Sequence, residues 1–396
     1  MSKLAIFGGA PLRTKPFARW PEFGDPEKAA LLEVLESGSW GGYNPKVKQF
    51  EEAFAKFHET RYAASASNGT VTLEAALAAA GIGSGDEVIV PPITFIATAS
   101  AVLRVGATPV FADIGSDYNI DPTRLEPALS ARSRAIIPVH FAGRPADMDA
   151  IAEFARHHGL IVIEDAAHAH GACWKGRHVG GFGDIASFSF QQSKGLTAGE
   201  GGILTGNNAE LIESASSIFN QGRVPGGAWY RHDRLGTNQR LTAWQASILL
   251  AQLDRLPHQI CRRARSARYL DRQLKDCDFI EPLAPEPRVT CHSHYLYMIR
   301  LRLESLGGIS RDAFLKAFAA EGIPGAGGYP YPLYENKVFE RYAYRRAECP
   351  EATRMCRESF WISHEILLSE EADLNDFVAT LIKVAKNADE INRRPC

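Results

Sequence analysis

The stretch "SFSFQQSKGLTAGEGG", residues 187–202, carries one lysine, Lys194, just past an apolar, strand-like run. Small residues and glycines surround it. Most lysines that follow strands are simply solvated. The same amine, held in a loop without bulk, can also attack a carbonyl group. Upstream, Asp165 ends the most apolar strand of the chain, in "GLIVIEDAAHAHGA". A carboxylate there needs a cation or a hydrogen-bond donor. It either caps the segment that follows or sits under a heterocyclic nitrogen and keeps it protonated. Earlier still, "SASNGTVTLEAAL" puts Asn68-Gly69-Thr70 at a strand-to-helix junction. That is an ordinary N-cap pattern. It is also an anion site, because a helix start offers free N–H groups and the positive end of the dipole. Thr70 adds a hydroxyl, and Ser189 adds another at the end of the lysine's own strand.

Other chemistries fit these residues less well. No Gly-Lys-Ser/Thr ending makes the Gly69 turn a P-loop, and the glycines of "GIGSGDE" precede a strand instead of following one into a helix. His140, His168 and His170 suggest a metal at first sight. The last two are two positions apart, which on a helix points them to opposite sides. Ser189 lacks the Gly-x-Ser-x-Gly elbow of a hydrolase. Taken in order, the chain offers an anion site, a strand-end acid, a hydroxyl and a lysine. Pyridoxal phosphate requires each of these: a helix start for its phosphate, an acid for its ring nitrogen, and an amine for its aldehyde.

The elements that must position these residues alternate. Short, β-branched, unalternating apolar runs occur in "EVIV", "TPVFADI", "RAIIPVHFAG" (a strand ending at His140) and "GLIVIED", and helices separate them. The helix after His140 is expected from about Ala146 to His158. This pattern predicts a mostly parallel sheet covered on both faces. Such sheets bind ligands at the carboxyl ends of their strands, where His140, Asp165 and Ser189–Lys194 fall. From about Ala243 the pattern changes to a long helix, broken or kinked at Pro257. A strand in "SHYLYMIRLRL", a helix in "RDAFLKAFAAEG", a Gly/Pro/Tyr loop and a closing helix in "EADLNDFVATLIKVAKN" follow. The expected division is a large α/β domain over 1–254 and a smaller α+β domain over 255–396.

Length and composition agree with an enzyme-sized globular protein. The chain has 396 residues, 45% hydrophobic and 23% charged, with a formal net charge of −2. That balance gives no electrostatic case for nucleic acid or an acidic membrane surface. Seven scattered cysteines, with no Cys-x-x-Cys pair, read as the reduced thiols of a cytoplasmic protein. The apolar stretch near the N-terminus is too short for a signal peptide or a membrane span.

With these residues in view, the sequence resembles the DegT-type sugar aminotransferases, a fold-type-I group of pyridoxal-phosphate enzymes. The resemblance is carried by "IEDAAHAHGA" and "FSFQQSKGLTAGEGG", and extends to "NGTVTLEAAL", "GDEVIVPPITFIATA", "ADMDAI" and "LGTNQRLTAWQASILLAQL". "WPEFGDPEKAALLEVLESGSW", "YPYPLY" and "ISHEILLSE" are similar to the branch with the glutamine-dependent inosose aminotransferases, of which aminohydroxybenzoate synthase is a near relative. The resemblance implies that Lys194 is the Schiff-base lysine and proton shuttle, and that Asp165 pairs with the pyridine nitrogen. Gly69, Thr70 and Ser189 would hold the phosphate and Phe95 would stack on the ring. His168 stands where many members have glutamine, near the ring's 3′-oxygen. Asn238 falls where the family sends an asparagine to the partner's phosphate, which implies a homodimer with shared sites. Its distance along the chain from Gly69-Thr70 points the same way.

The expected reaction is a two-step transamination. L-Glutamine or L-glutamate gives its nitrogen to the cofactor, and a keto-cyclitol or keto-sugar then takes it. Arg240 or His294 is a candidate for the donor carboxylate, although a surface or structural role fits either equally. Some relatives replace the lysine by histidine and dehydrate deoxysugars, and Lys194 argues against that branch. Two other readings remain open: a lyase or dehydratase on the same cofactor, of the aminohydroxybenzoate synthase kind, and a non-catalytic cofactor-binding regulator. A regulator need not keep the set Thr70, Asp165, Ser189, Lys194 and Asn238.

Overall fold

The computed structural model describes residues 3–224, 226–324 and 327–394. Gly325 and Ala326, inside the expected Gly/Pro/Tyr loop, lie outside the described residues. In chain order the first strands are β1 (Tyr62–Ala66), β2 (Glu87–Val90), β3 (Thr108–Phe111), β4 (Ser133–Ile136) and β5 (Ile161–Asp165). A short hairpin, β6 (Cys173–Trp174) and β7 (Arg177–His178), precedes β8 (Ile185–Ser189) and β9 (Gly202–Gly206). The C-terminal part adds β10 (Ile280–Glu281), β11 (Val289–Cys291), β12 (Leu296–Leu301), β13 (Arg345–Arg346) and β14 (Ser359–Ser363).

Eight of these form one sheet in the order β1-β9-β8-β5-β4-β2-β3-β13. The pairs from β8 through β13 are parallel, whereas β9 runs antiparallel to both β8 and β1. The parallel core is the expected one. At the antiparallel end β9 returns beside β8 through a connection that holds no helix. That loop holds Lys194. β2, β8 and β9 are buried along their whole length, polar Glu87, Ser187, Ser189 and Thr205 included. The strand expected to end at His140 stops at Ile136, although Val139 still bridges Asp165 in parallel.

The helices α1 (Asp25–Ser37) and α2 (Pro45–Phe57) precede the sheet, α3 (Gly69–Ala79), α4 (Ala97–Arg104) and α5 (Met148–His158) connect its strands, and α6 (Ala209–Phe219) follows β9. Helix α3 is the central one. Its buried Leu73, Ala75, Ala76 and Leu77 let it lie close against β5, β8 and β9. Helix α7 (Ala243–Leu274) is a single 32-residue element that contains Pro257. Sequence alone suggests a break there, since proline removes a backbone donor. Packing holds the helix together: Leu249, Leu253, Leu256 and Ile260 all sit in the core beneath α2 and β8. Further on, Ala267, Leu270 and Leu274 join a second core built on β12, β14, α8 (Arg311–Ala320) and α10 (Glu371–Lys386), and α9 (Pro350–Glu358) lies against β12 and β14.

The chain crosses between these cores more than once. Leu4 belongs to the C-terminal core, and Arg13 pairs with Asp373 and Asp376 at 2.8 and 2.7 Å. In the other direction, Leu333, Tyr334, Phe339 and Met355 pack into the core of the large sheet, and β13 forms its edge. The space between the two cores, above the ends of β5 and β8, is where the cavity lies.

Candidate active site

A cavity of about 740 Å³ opens at the carboxyl ends of β5 and β8. Its walls include Gly69, Thr70, Phe95, Asp165, His168, Ser189 and Lys194, so the structure gathers seven residues singled out in the sequence. They come from four separate stretches of the chain. Tyr295, Tyr329 and Trp361, from the C-terminal part, close the opposite side.

The floor is set by close backbone contact. A Cβ on Gly69 would lie 2.6 Å from the Ser189 Cβ, so only glycine lets α3 begin against the end of β8. A Cβ on Gly202 would lie 2.4 Å from the Asn68 carbonyl carbon. That contact explains the glycine at the end of the lysine motif: β9 passes directly beneath the α3 start. The helix start is capped more fully than expected. The Asn68 side chain accepts from the Thr70 and Val71 N–H groups at 3.1 and 3.0 Å. The Gly69 amide, at the very tip of the helix, and the Thr70 hydroxyl remain to face an anion.

Asp165 is 5% exposed. The Thr98 hydroxyl donates to one carboxylate oxygen at 2.7 Å and the Ala167 N–H donates to the other at 3.2 Å. Burial nonetheless raises its pKa above the usual value, against the lowering pull of those bonds and of Lys194. Lys194 is only partly covered because it opens onto the cavity. The protein around it still lowers its ammonium from 10.5 to about 8, with Asp165 pulling the other way. Its Nζ lies over the Tyr295 ring, 4.8 Å from the centroid. A buried acid with unused capacity and an amine with a depressed pKa in one cleft mark a functional site.

The histidines have separate fates. His168 is buried against Tyr295, ring centroids 4.3 Å apart, and its Nδ1 has no hydrogen-bond partner among the described residues. Burial, and then the Lys194 charge, keep it neutral. His170 turns away into the Phe54, Phe188 and Phe190 cluster. His140 is fully buried and structural: its Nδ1 accepts from the Ala146 N–H at 3.1 Å, so its Nε2–H donates to Glu164 at 3.0 Å. Glu164 also accepts from the Gly180, Phe182 and Gly183 amides at 2.9, 2.8 and 2.7 Å. Burial pushes the Glu164 carboxyl up, but the His140 contact and these amides outweigh it and hold it ionised.

Asn238 is exposed and does not line the cavity. Its segment returns close to the site, however distant in sequence. Ser67 N–H donates to the Gln239 carbonyl at 2.7 Å, and Ala66 bridges Arg240. Neither donor-carboxylate candidate lines the cavity. Arg240 is engaged by Asn220 at 2.8 Å, and His294 stacks on His292 at 3.9 Å. Sequence reasoning missed Thr98, Tyr295, Tyr329 and Trp361. Thr98 had a signal, since it lies one helical turn from Phe95 in "TFIATA". The three aromatic residues had none, because only the packing of the C-terminal part brings them here.

Residues 21–381 match the DegT/DnrJ/EryC1/StrS aminotransferase family. The chain belongs to this family. Its members depend on pyridoxal phosphate, and the protein is a pyridoxal-phosphate-dependent aminotransferase by membership. A Micromonospora echinospora protein assigned as an L-glutamine:3-amino-2,3-dideoxy-scyllo-inosose aminotransferase is 39% identical, over 97% of each chain. The L-glutamine:scyllo-inosose aminotransferase of Streptomyces griseus is 36% identical, over 99% of this chain and all of that one. The crystal structure of 3-amino-5-hydroxybenzoic acid synthase superposes with a TM-score of 0.88 at 35% identity, covering 96% of this chain and 100% of the other. The cavity's own features fit the family's cofactor. The start of α3 at Gly69-Thr70, lining the cavity beside Ser189, suits a phosphate. The buried Asp165 suits a protonated ring, and the orphaned His168 Nδ1 suits a polar atom supplied from outside.

Proposed function

We propose that the protein transfers an amino group from L-glutamine or L-glutamate to a keto-cyclitol or keto-sugar, using one cavity for both half-reactions. The observation that carries this is the meeting of Lys194, Asp165 and the α3 start in that cavity. Pyridoxal phosphate, when bound, supplies the electron sink that makes a proton on the carbon next to the nitrogen acidic. Gly69 N–H, the Thr70 hydroxyl and Ser189 hold its phosphate, with Asn238 of the second subunit completing that grip. Asp165 keeps a proton on the ring nitrogen, where its charge is strong because the site is buried. Phe95 covers a ring face and His168 meets the oxygen beside the aldehyde.

Lys194 has two tasks. Its amine attaches the cofactor, and its amine then carries a proton from the donor's carbon to the carbon that receives the proton next. A depressed pKa suits both, since a neutral amine can accept the proton. The named inosose aminotransferases among the relatives support the cyclitol reading and the glutamine donor. The likeness to 3-amino-5-hydroxybenzoic acid synthase supports a second reading, elimination on the same cofactor.

The test is a pair of half-reactions followed by absorbance. L-Glutamine or L-glutamate should convert the yellow holoenzyme to its colourless amine form, and a keto-cyclitol should restore the colour. Borohydride should fix the cofactor onto Lys194, and Lys194→Ala should bind cofactor without turnover. Dehydration of a cyclitol with no nitrogen transferred would replace this reading by the elimination.

A further inference from the structure

The hairpin that follows the active-site aspartate carries a second reactive feature. Strand β6 pairs antiparallel with β11, and the register sets Cys173 opposite Cys291. Residues directly opposite on antiparallel strands have Cα atoms about 4.5–5.5 Å apart, inside the range of roughly 4.4–6.8 Å that a disulfide spans. Both residues are partly exposed, so a small reagent can reach them.

The surroundings make the two sulfurs unlike. Arg263 is buried to 1% exposure, and its Nε donates to the Ser293 carbonyl at 2.9 Å, two residues beyond Cys291. Its Nη1 has no partner among the described residues. The facing Cys173 thiol, and then the Arg263 charge, favour the Cys291 thiolate over the opposing effect of burial. Cys173 is pushed the other way by the facing Cys291, by burial and by Glu59. A thiolate favoured by a nearby positive charge, opposite a thiol whose ionisation is disfavoured, is the arrangement of an attacking and a resolving cysteine.

We propose that Cys173 and Cys291 form a reversible disulfide by exchange with a low-molecular-weight disulfide, and that this bond staples the two walls of the cavity together. The Cys291 thiolate attacks one sulfur of the small disulfide and expels a thiolate, which takes up a proton. Cys173 then loses its proton to solvent and attacks the Cys291 sulfur, expelling the second small thiolate. The protein loses two electrons and two protons, and the small disulfide becomes two thiols. The consequence for the site follows from position. Cys173 lies five residues after His168 and Cys291 four before Tyr295, and those two rings are packed together. The Ser293 hydroxyl also donates to the His168 carbonyl at 3.1 Å. A bond here joins the β5 side of the cavity to the side built by the C-terminal part, and closes a loop of more than a hundred residues.

The holoenzyme is equilibrated in glutathione buffers from reducing to oxidising, acid-quenched, digested without reduction and examined by mass spectrometry. The expected product is a Cys173–Cys291 crosslinked peptide that dithiothreitol removes. Cys173→Ser should stop at a glutathione adduct on Cys291. Amide exchange across residues 166–175 and 289–296 should slow by roughly threefold or more in the oxidised protein, since local opening is restricted. Three results would overturn the proposal: no crosslink in buffers that glutathionylate the exposed Cys261, an adduct on Cys173 in preference to Cys291, or a crosslink that leaves exchange in both segments unchanged.

Discussion

Asp165 shows how one residue's cost becomes its use. Burial raises its pKa, so its charged form is penalised on folding. A group whose folded pKa is raised contributes most to stability below its unfolded pKa and loses that contribution as pH rises through the folded value. Ionising Asp165 in the cofactor-free protein therefore costs stability. Asp165→Asn should leave the melting temperature of the cofactor-free protein unchanged or higher. Turnover should fall about 10²–10³-fold, the loss of an electrostatic term of about 3–4 kcal/mol. A lower melting temperature with turnover within about fivefold of normal would make Asp165 only a cap for Ala167. Lys194 gives a matching pH dependence. With its ammonium lowered to about 8, roughly a tenth of the amine is neutral at pH 7. The rate at which the cofactor-free protein captures pyridoxal phosphate should rise with pH and level off above about 8. A midpoint near that of a free lysine would show that the surrounding protein does not depress it.

At the scale of elements, the site depends on how closely α3, β8 and β9 approach. The Gly202 position is the tightest point, and its neighbour there is backbone, which cannot swing aside. Gly202→Ala should destabilise the fold by about 1–3 kcal/mol and shift the α3 start. Cofactor affinity, measured by fluorescence titration, should fall about tenfold or more, equivalent to about 1.4 kcal/mol. Glu164 secures the other side of the floor. It ties β5 to His140 and to the loop before β8 through four hydrogen bonds while remaining fully buried. Glu164→Ala strands those donors and should cost about 3–5 kcal/mol in denaturant unfolding. Its effect belongs to stability, because Glu164 does not face the cavity.

At the scale of the whole molecule, the proposed second subunit needs a surface to cover. Trp229, Tyr230 and Leu235 are 77%, 78% and 97% exposed, on the same segment that leads into Asn238. Large apolar side chains so exposed, close together, are typical of a surface that another chain covers. If Asn238 completes the neighbouring site, Lys194→Ala and Asn238→Asp complement each other, since a carboxylate against the phosphate weakens its binding. A mixed dimer then has one site with both lesions and one with neither. Under subunit exchange the two inactive proteins should recover up to about a quarter of normal activity, because half the dimers are mixed and each has one good site. No recovery despite proven exchange would end the shared-site reading.

Much of this was legible before the fold. The lysine, the strand-end acid and the Asn68-Gly69-Thr70 junction are local patterns: each is decided by residues adjacent in the chain, and strand ends of a parallel sheet converge on one edge. The alternation of short apolar runs and helices was enough for the sheet's parallel core. Tertiary structure decided what depends on contacts between distant segments. Pro257 looked like a break, but packing along Leu253, Leu256 and Ile260 keeps α7 whole. His140 looked like a site residue, but Glu164 claims it for the core. Arg240 and His294 were plausible partners for a carboxylate, yet the chain turns both away from the cavity. Tyr295, Tyr329 and Trp361 carry no local signal at all. They reach the cavity because the C-terminal core docks across the strand ends, and that docking is a property of two buried surfaces, which no single stretch of sequence contains.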